Sequence, residues 1–363
     1  MELMQNEMTP RERLTAYARG EEVDRIPTTL SAGETIPFLY GISIREYYFS
    51  ADLMIEVESR MAKDFGADNM GMGLGLRTLA EAIGTKLHYT DDNVSFITEP
   101  IIKDYSQLSN MSTVNINKDG RLPILIEAFS RLQERFGKER IISSGMAGPL
   151  TTACALVGAD KFLKDIIKRP DEVRLLMEYS TACVINCARD LNAKLGISLS
   201  LSEPIASGNL ISRKMFERWL VPYLKEIVDA FKTFQNAPAL HICGKTKDRW
   251  EDLLTCGISG FWADNCESLQ EIKAFMGDQV SISGNVTPVE ILRNGTISEI
   301  DEAVRICILE GSDSPMGYLL CPGCTTPVGT PKENMIAFMN AASKYGRSAK
   351  KGYPCRYAEK NIR

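Results

Sequence analysis

Along the chain, short runs of extended, β-prone residues are separated by longer runs with an apolar position every three or four residues. That is the pattern of strands joined by crossover helices in a parallel sheet. A short helix is predicted from near Pro10, followed by a first strand at Arg25-Ile26-Pro27-Thr28-Thr29. An amphipathic run from Ile44 to Phe65 leads to a second strand at Asp68 to Gly73. Third and fourth strands are predicted at Ile141 to Gly145 and Ile197 to Ser202, with helices around Gly158 to Ile167 and Asp171 to Leu195 between them. The second half is more regular. Strands at Ala239 to Cys243, Gly260 to Ala263, Val280 to Ser283 and Gly317 to Leu320 are spaced by helices at 213–234, 248–254, 268–276, 298–309 and 332–344.

Eight such units predict an α/β chain folded as a single (β/α)8 TIM barrel over residues 25–346. A helical extension (1–24) precedes it and a basic tail (347–363) follows. Lys86 to Ile102 alternates like a hairpin turning at Asp91-Asp92-Asn93, and is read as an insertion at the barrel mouth. Such an insertion serves as a lid, a partner-docking element or a homodimer contact.

Composition narrows the function. A chain of 363 residues with 44% apolar side chains fills a large core. The formal charge of −5 without a basic block argues against nucleic acid and anionic membrane as partners. No stretch approaches the roughly 20 apolar residues of a membrane span, and the N-terminus lacks the order of a signal peptide. Ten cysteines without an export signal read as reduced thiols in a cytoplasmic protein.

One of the two histidines stands in His241-Ile242-Cys243, at the end of the fifth strand. Alternate residues of a strand share a face, so His241 and Cys243 can grip one metal ion, with Cys321 or Cys324 after the eighth strand as a third donor. Three protein ligands with an open fourth position are the arrangement of catalytic zinc. The bland alternative is that these cysteines fill the core, as Cys154, Cys183, Cys187 and Cys307 do in apolar helical runs. The barrel changes the balance, because the ends of strands five and eight belong to one rim.

Several segments resemble the uroporphyrinogen decarboxylase superfamily, and within it the cobalamin-dependent methyltransferases related to methylcobalamin:coenzyme M methyltransferase. They include Met8-Thr9-Pro10-Arg11-Glu12-Arg13, Gly20 to Pro27, Ala147-Gly148-Pro149-Leu150-Thr151 and Ser283-Gly284-Asn285-Val286-Thr287-Pro288. The most specific are His241-Ile242-Cys243-Gly244 and Pro322-Gly323-Cys324 followed by Thr330-Pro331-Lys332-Glu333-Asn334. The departures point away from porphyrin decarboxylation. Ser31 to Pro37 contains no arginine where decarboxylases carry an arginine-rich segment, Asn69 to Leu76 lacks their aspartate, and Cys324 stands where they have histidine.

The resemblance implies zinc held by His241, Cys243 and Cys324, with Cys321 left as a buried strand residue. Glu203 and Asp264 are candidates for a fourth ligand or a partner for His241. Asn285 and Met72 are candidates for contacts with the cofactor or substrate. Two thiolates and a neutral imidazole cancel the charge of a divalent ion, which favours an electron-rich, ionised substrate thiol. The implied reaction moves a methyl group between a corrinoid and a thiol such as coenzyme M or a related thiol. The cobalamin-carrier motif is absent, so the corrinoid belongs to a separate protein. Two alternatives remain at this stage. One is demethylation of an ether, amine or thioether toward cobalt(I). The other is a non-catalytic barrel that binds a corrinoid protein and keeps a structural zinc.

Overall fold

The strands follow in chain order as β1 (Glu22–Arg25), β2 (Asn69–Met70), β3 (Lys86–His88), β4 (Phe96–Glu99), β5 (Ile141–Ala147), β6 (Ser198–Ser202), β7 (Ala239–His241), β8 (Gly260–Trp262), β9 (Ser281–Val286), β10 (Tyr318–Pro322) and β11 (Arg347–Lys350). They come from a computed structural model that describes residues 2–4 and 6–359. Residues 360–363, the end of the stretch read as a basic tail, lie outside the described residues, as do residues 1 and 5. Seven strands form one parallel sheet in the order β2-β5-β6-β7-β8-β9-β10. The sheet curls until its ends meet across Pro27 to Thr29. Leu320 donates to the Pro27 carbonyl and Thr29 to the Leu320 carbonyl, both at 2.9 Å, while Asp68 donates to the Thr28 carbonyl at 2.9 Å. The predicted first strand thus occupies the eighth barrel position through these bonds.

Helices cover the outside of the sheet because their apolar faces need burial. The run from Ile44 to Phe65 is two helices, Ile44–Tyr48 and Ala51–Phe65, since the Ser50 side chain caps the second by accepting from Leu53 N–H. Residues 213–234 likewise divide into Arg213–Trp219 and Val221–Phe231, where Pro222 opens the second helix. Four α-helices among the described residues lie outside the sequence prediction: Thr78–Ile83, Leu122–Phe136, Arg356–Glu359, and Pro149–Val157, in which every residue is buried. A helix apolar on all sides has no period to reveal it.

The hairpin is present as β3 and β4, pairing antiparallel with Leu87 opposite Ile97 and His88 opposite Phe96. Its turn is tied to the start of the Ile44–Tyr48 helix, where Ile44 N–H donates to Asp91 O at 2.9 Å and Ser43 Oγ to Asp91 Oδ1 at 2.7 Å. The stretch read as a helical extension carries the expected helix, Pro10–Ala18, and its end shares a small sheet with the start of the stretch read as a basic tail. β1 pairs antiparallel with β11 in the register Glu22 to Lys350 and Arg25 to Arg347. Beneath it, buried Arg13 and Arg25 both bind the buried carboxylate of Asp68, clamping the N-terminal segment onto the second barrel strand. No helix among the described residues is long and apolar enough to cross a membrane.

Candidate metal centre

The barrel interior is unusually roomy on one side because its strands carry small residues there. Ser143 and Gly145 of β5 and Ser200 and Ser202 of β6 line a cavity of about 290 Å3, while their neighbours Leu199 and Leu201 are buried. Barrels of this kind normally fill such positions with bulky branched side chains. At the carboxyl-terminal rim of the cavity stand His241, Cys243 and Cys324. His241 ends β7 and is 5% exposed; Cys243 follows two residues later, and Cys324 lies two residues past the end of β10.

The three donor atoms converge. His241 Nε2 lies 3.1 Å from Cys243 Sγ, Cys243 Sγ lies 3.7 Å from Cys324 Sγ, and all three atoms fall within 4.8 Å of one another. Tetrahedral zinc with bonds of about 2.3 Å to sulfur and about 2.0 Å to nitrogen sets two sulfurs about 3.8 Å apart, and sulfur and nitrogen about 3.6 Å apart. The sulfurs stand at that spacing and the imidazole slightly inside it. The donor set, two soft thiols and one imidazole, is also the one that zinc prefers.

The surroundings orient these donors. His241 Nδ1 lies 3.0 Å from the Trp262 carbonyl oxygen, so it carries the proton and the Nε2 lone pair is turned toward the sulfurs. The Trp262 ring stacks on the imidazole at 4.1 Å between centroids, and its Nε1–H donates to the Pro322 carbonyl at 2.9 Å. One tryptophan thereby ties the strand end bearing His241 to the one bearing Cys324. The Cys324 thiol is held well below its usual range, chiefly by the hydrogen bond from Cys243 and further by His241, against burial. Cys243 is pushed up by that same shared hydrogen bond and by burial, with the charges of Cys324 and Asp264 adding to the shift. Both shifts arise from one thiol donating to the other, and a divalent cation bound between the sulfurs would displace that proton.

The remaining candidates stand apart from this triad. Glu203 is fully buried, and its carboxylate is filled by Leu150 N–H at 2.9 Å, Thr151 N–H at 2.8 Å and the Thr151 hydroxyl at 2.6 Å. It anchors the start of the Pro149–Val157 helix and is not in the donor cluster. Burial raises its carboxyl to about 7 against those three donors. Asp264 is buried near Cys243 but accepts from Cys266 N–H at 3.0 Å and also stays outside the cluster. The partner of His241 is therefore a backbone carbonyl and neither carboxylate.

Asn285 spends its amide on the Asp264 and Glu267 carbonyls, at 3.0 and 2.8 Å, and fixes the loop after β8. Met72 is 1% exposed and packed in the core; its neighbour Met70 lines the cavity instead. Cys321 is buried within β10, opposite Asn285. Glu267, unremarked in the sequence, accepts from the Thr246 and Lys247 amides and joins the loops after β7 and β8. No motif marks such a residue, because its role is only to bridge two loops distant in sequence.

The family model described as uroporphyrinogen decarboxylase (URO-D) matches residues 9–345. The methylcobamide:CoM methyltransferase MtbA of Methanosarcina acetivorans is 26% identical over 343 residues, covering 93% of this chain and 99% of the relative. The methylcobamide:CoM methyltransferase MtaA of Methanosarcina barkeri is 26% identical, over 94% and 99% of the two chains. A solved methyltransferase from Methanosarcina mazei superposes with a TM-score of 0.81 at 26% identity, covering 93% of this chain and 99% of its own. With the barrel closed as described and the match running over nearly its full length, the chain belongs to the uroporphyrinogen decarboxylase (URO-D) family.

Proposed function

We propose that this chain is a zinc-dependent methyltransferase that moves a methyl group between a corrinoid carried on a separate protein and a small thiol. The observation that carries this reading is the convergence of His241 Nε2, Cys243 Sγ and Cys324 Sγ at the rim of an open cavity. A purely structural zinc would call for a fourth protein donor, and the described cluster has three. The names of the relatives, methylcobamide:CoM methyltransferases, support the same chemistry. Zinc on this donor set would supply an ionised, electron-rich sulfur at neutral pH.

The residues of the chain do the rest. His241, fixed by the Trp262 carbonyl, and the two cysteines would hold the ion at the rim of the cavity that receives the substrate. Leu30, Met70 and Met146 line the same cavity and keep the reacting groups out of bulk water, which strengthens every local electrostatic interaction. The corrinoid protein docks over the carboxyl-terminal rim, where Cys243 and Cys324 are only half-buried.

The test mixes purified, zinc-loaded protein with methylcobalamin and a panel of thiols that includes coenzyme M and homocysteine, and follows the cobalt spectrum. Thiol-dependent loss of methylcobalamin, abolished in Cys324→Ala while the fold survives, is the expected result. Methyl loss only from ethers or amines toward reduced cobalamin overturns the thiol reading. A Cys324→Ala variant that unfolds once its zinc is lost makes the metal structural.

A further inference from the structure

The cavity beneath the triad carries a charge that neither the metal centre nor the fold neutralises. Glu34, in the turn after the first barrel strand, lines it together with Leu30 and Ser31. Glu34 Oε2 accepts a hydrogen bond from the Tyr48 hydroxyl, and a Cβ added at Gly75 would stand 3.2 Å from that same oxygen. Tyr48 is buried, and burial together with the charge of Glu34 keeps its phenol protonated. The carboxylate is thus positioned by a neutral donor.

Cations are absent from its surroundings in the cavity. Among the described residues no lysine or arginine is ion-paired with Glu34. Arg121, 4.4 Å from the centroid of the Tyr48 ring, is committed to Glu81 at 2.9 Å. Arg77 follows the cavity-lining Gly75 and Leu76 but does not line the cavity itself. The one lining arginine, Arg140, precedes β5, so it stands at the amino-terminal end of a strand about 20 Å long, away from the rim. Its guanidinium is spent on the carbonyls of Ala67 and Ala62. With the triad's two thiolates offsetting a divalent ion, Glu34 leaves the rim end of the cavity negative.

We propose that Glu34 is a specificity-determining residue that selects a small substrate bearing an ammonium group over one bearing a sulfonate or carboxylate. Trp262, Met70 and Leu30 line the same cavity and suit the short alkyl part of such a molecule. A like charge placed beside an unpaired carboxylate in a partly water-excluded cavity is repelled and an opposite charge attracted, each by about tenfold in affinity after allowance for partial exposure. The inference rests on the thiol reading only for its choice of probes.

Calorimetric titration of the zinc-loaded protein compares 2-aminoethanethiol, 2-mercaptoethanol and 2-mercaptoethanesulfonate, which share a two-carbon spacing and differ in charge, with tetramethylammonium as a thiol-free cation. The expected order of affinity is cationic, neutral, anionic, with about a hundredfold between the extremes. Glu34→Gln keeps an acceptor for Tyr48, should leave the melting temperature in place, and should compress that range to within about tenfold. An anionic thiol that binds as well as the cationic one, a preference unchanged in Glu34→Gln, or no binding by any probe overturns the proposal. The methylcobalamin assay fails or succeeds independently, since it reads methyl transfer and the titration reads charge preference.

Discussion

His241 Nδ1 and the carbonyl oxygen of Trp262 are 3.0 Å apart, across two neighbouring parallel strands in which these residues are direct register partners. The bond fixes the tautomer of the imidazole and turns Nε2 toward the two sulfurs. A backbone carbonyl cannot be mutated away, but the indole attached to it can.

Trp262→Phe keeps an aromatic face on the imidazole and removes the donor to the Pro322 carbonyl. The loop bearing Cys324 loses its tie to β8, and a buried carbonyl loses its partner. The expected cost is about 1 kcal/mol in stability, with zinc affinity lowered by about tenfold. Competition with a chelator of known affinity measures this. Unchanged affinity would show that the indole bond does not position Cys324.

Gly323 sits between the end of β10 and Cys324, and a Cβ there would lie 2.4 Å from the backbone nitrogen of Asn265. Backbone cannot yield as a side-chain tip does, so Gly323→Ala must push the Cys324 loop away from β8. Stability should fall by roughly 1–3 kcal/mol, and zinc content should drop well below one ion per chain. A variant that binds a full equivalent with wild-type affinity would contradict the close approach.

The barrel was legible in the sequence because its strands alternate and its crossover helices are amphipathic. The donor triplet was legible because His241-Ile242-Cys243 sets two donors one residue apart at a predicted strand end, although β7 itself stops at His241, and the resemblance chose Cys324 over Cys321. Three things were hidden, each for a physical reason. Pro149–Val157 is buried on every side and shows no helical period. Glu203 looks like any carboxylate at a strand end until Leu150 and Thr151 are seen to fill it. The pairing of β1 with β11 joins the two ends of the chain, a contact that no local pattern encodes.

Glu58, in the Ala51–Phe65 helix, is buried beside the cavity, and burial raises its carboxyl from the ordinary 4.5 to about 7 despite the Gly71 N–H and Arg140. The folded chain then holds a proton that the unfolded chain has released. This contribution is complete below about pH 4.5 and is lost as pH rises through about 7. Its ceiling is about 3 kcal/mol. Glu203, raised in the same direction, adds to the slope. Glu58→Gln should therefore flatten the fall in denaturation midpoint between about pH 5 and pH 8 without removing it. An identical fall in both proteins would place the Glu58 carboxyl in contact with water.

The most direct measurement is X-ray absorption at the zinc K-edge of the purified protein, before and after addition of a substrate thiol. Two sulfurs at about 2.3 Å and one imidazole nitrogen are expected in the resting protein, with a third sulfur entering the coordination sphere when thiol is added. A sphere that already holds four protein donors, or whose sulfur count does not change with thiol, would contradict that expectation.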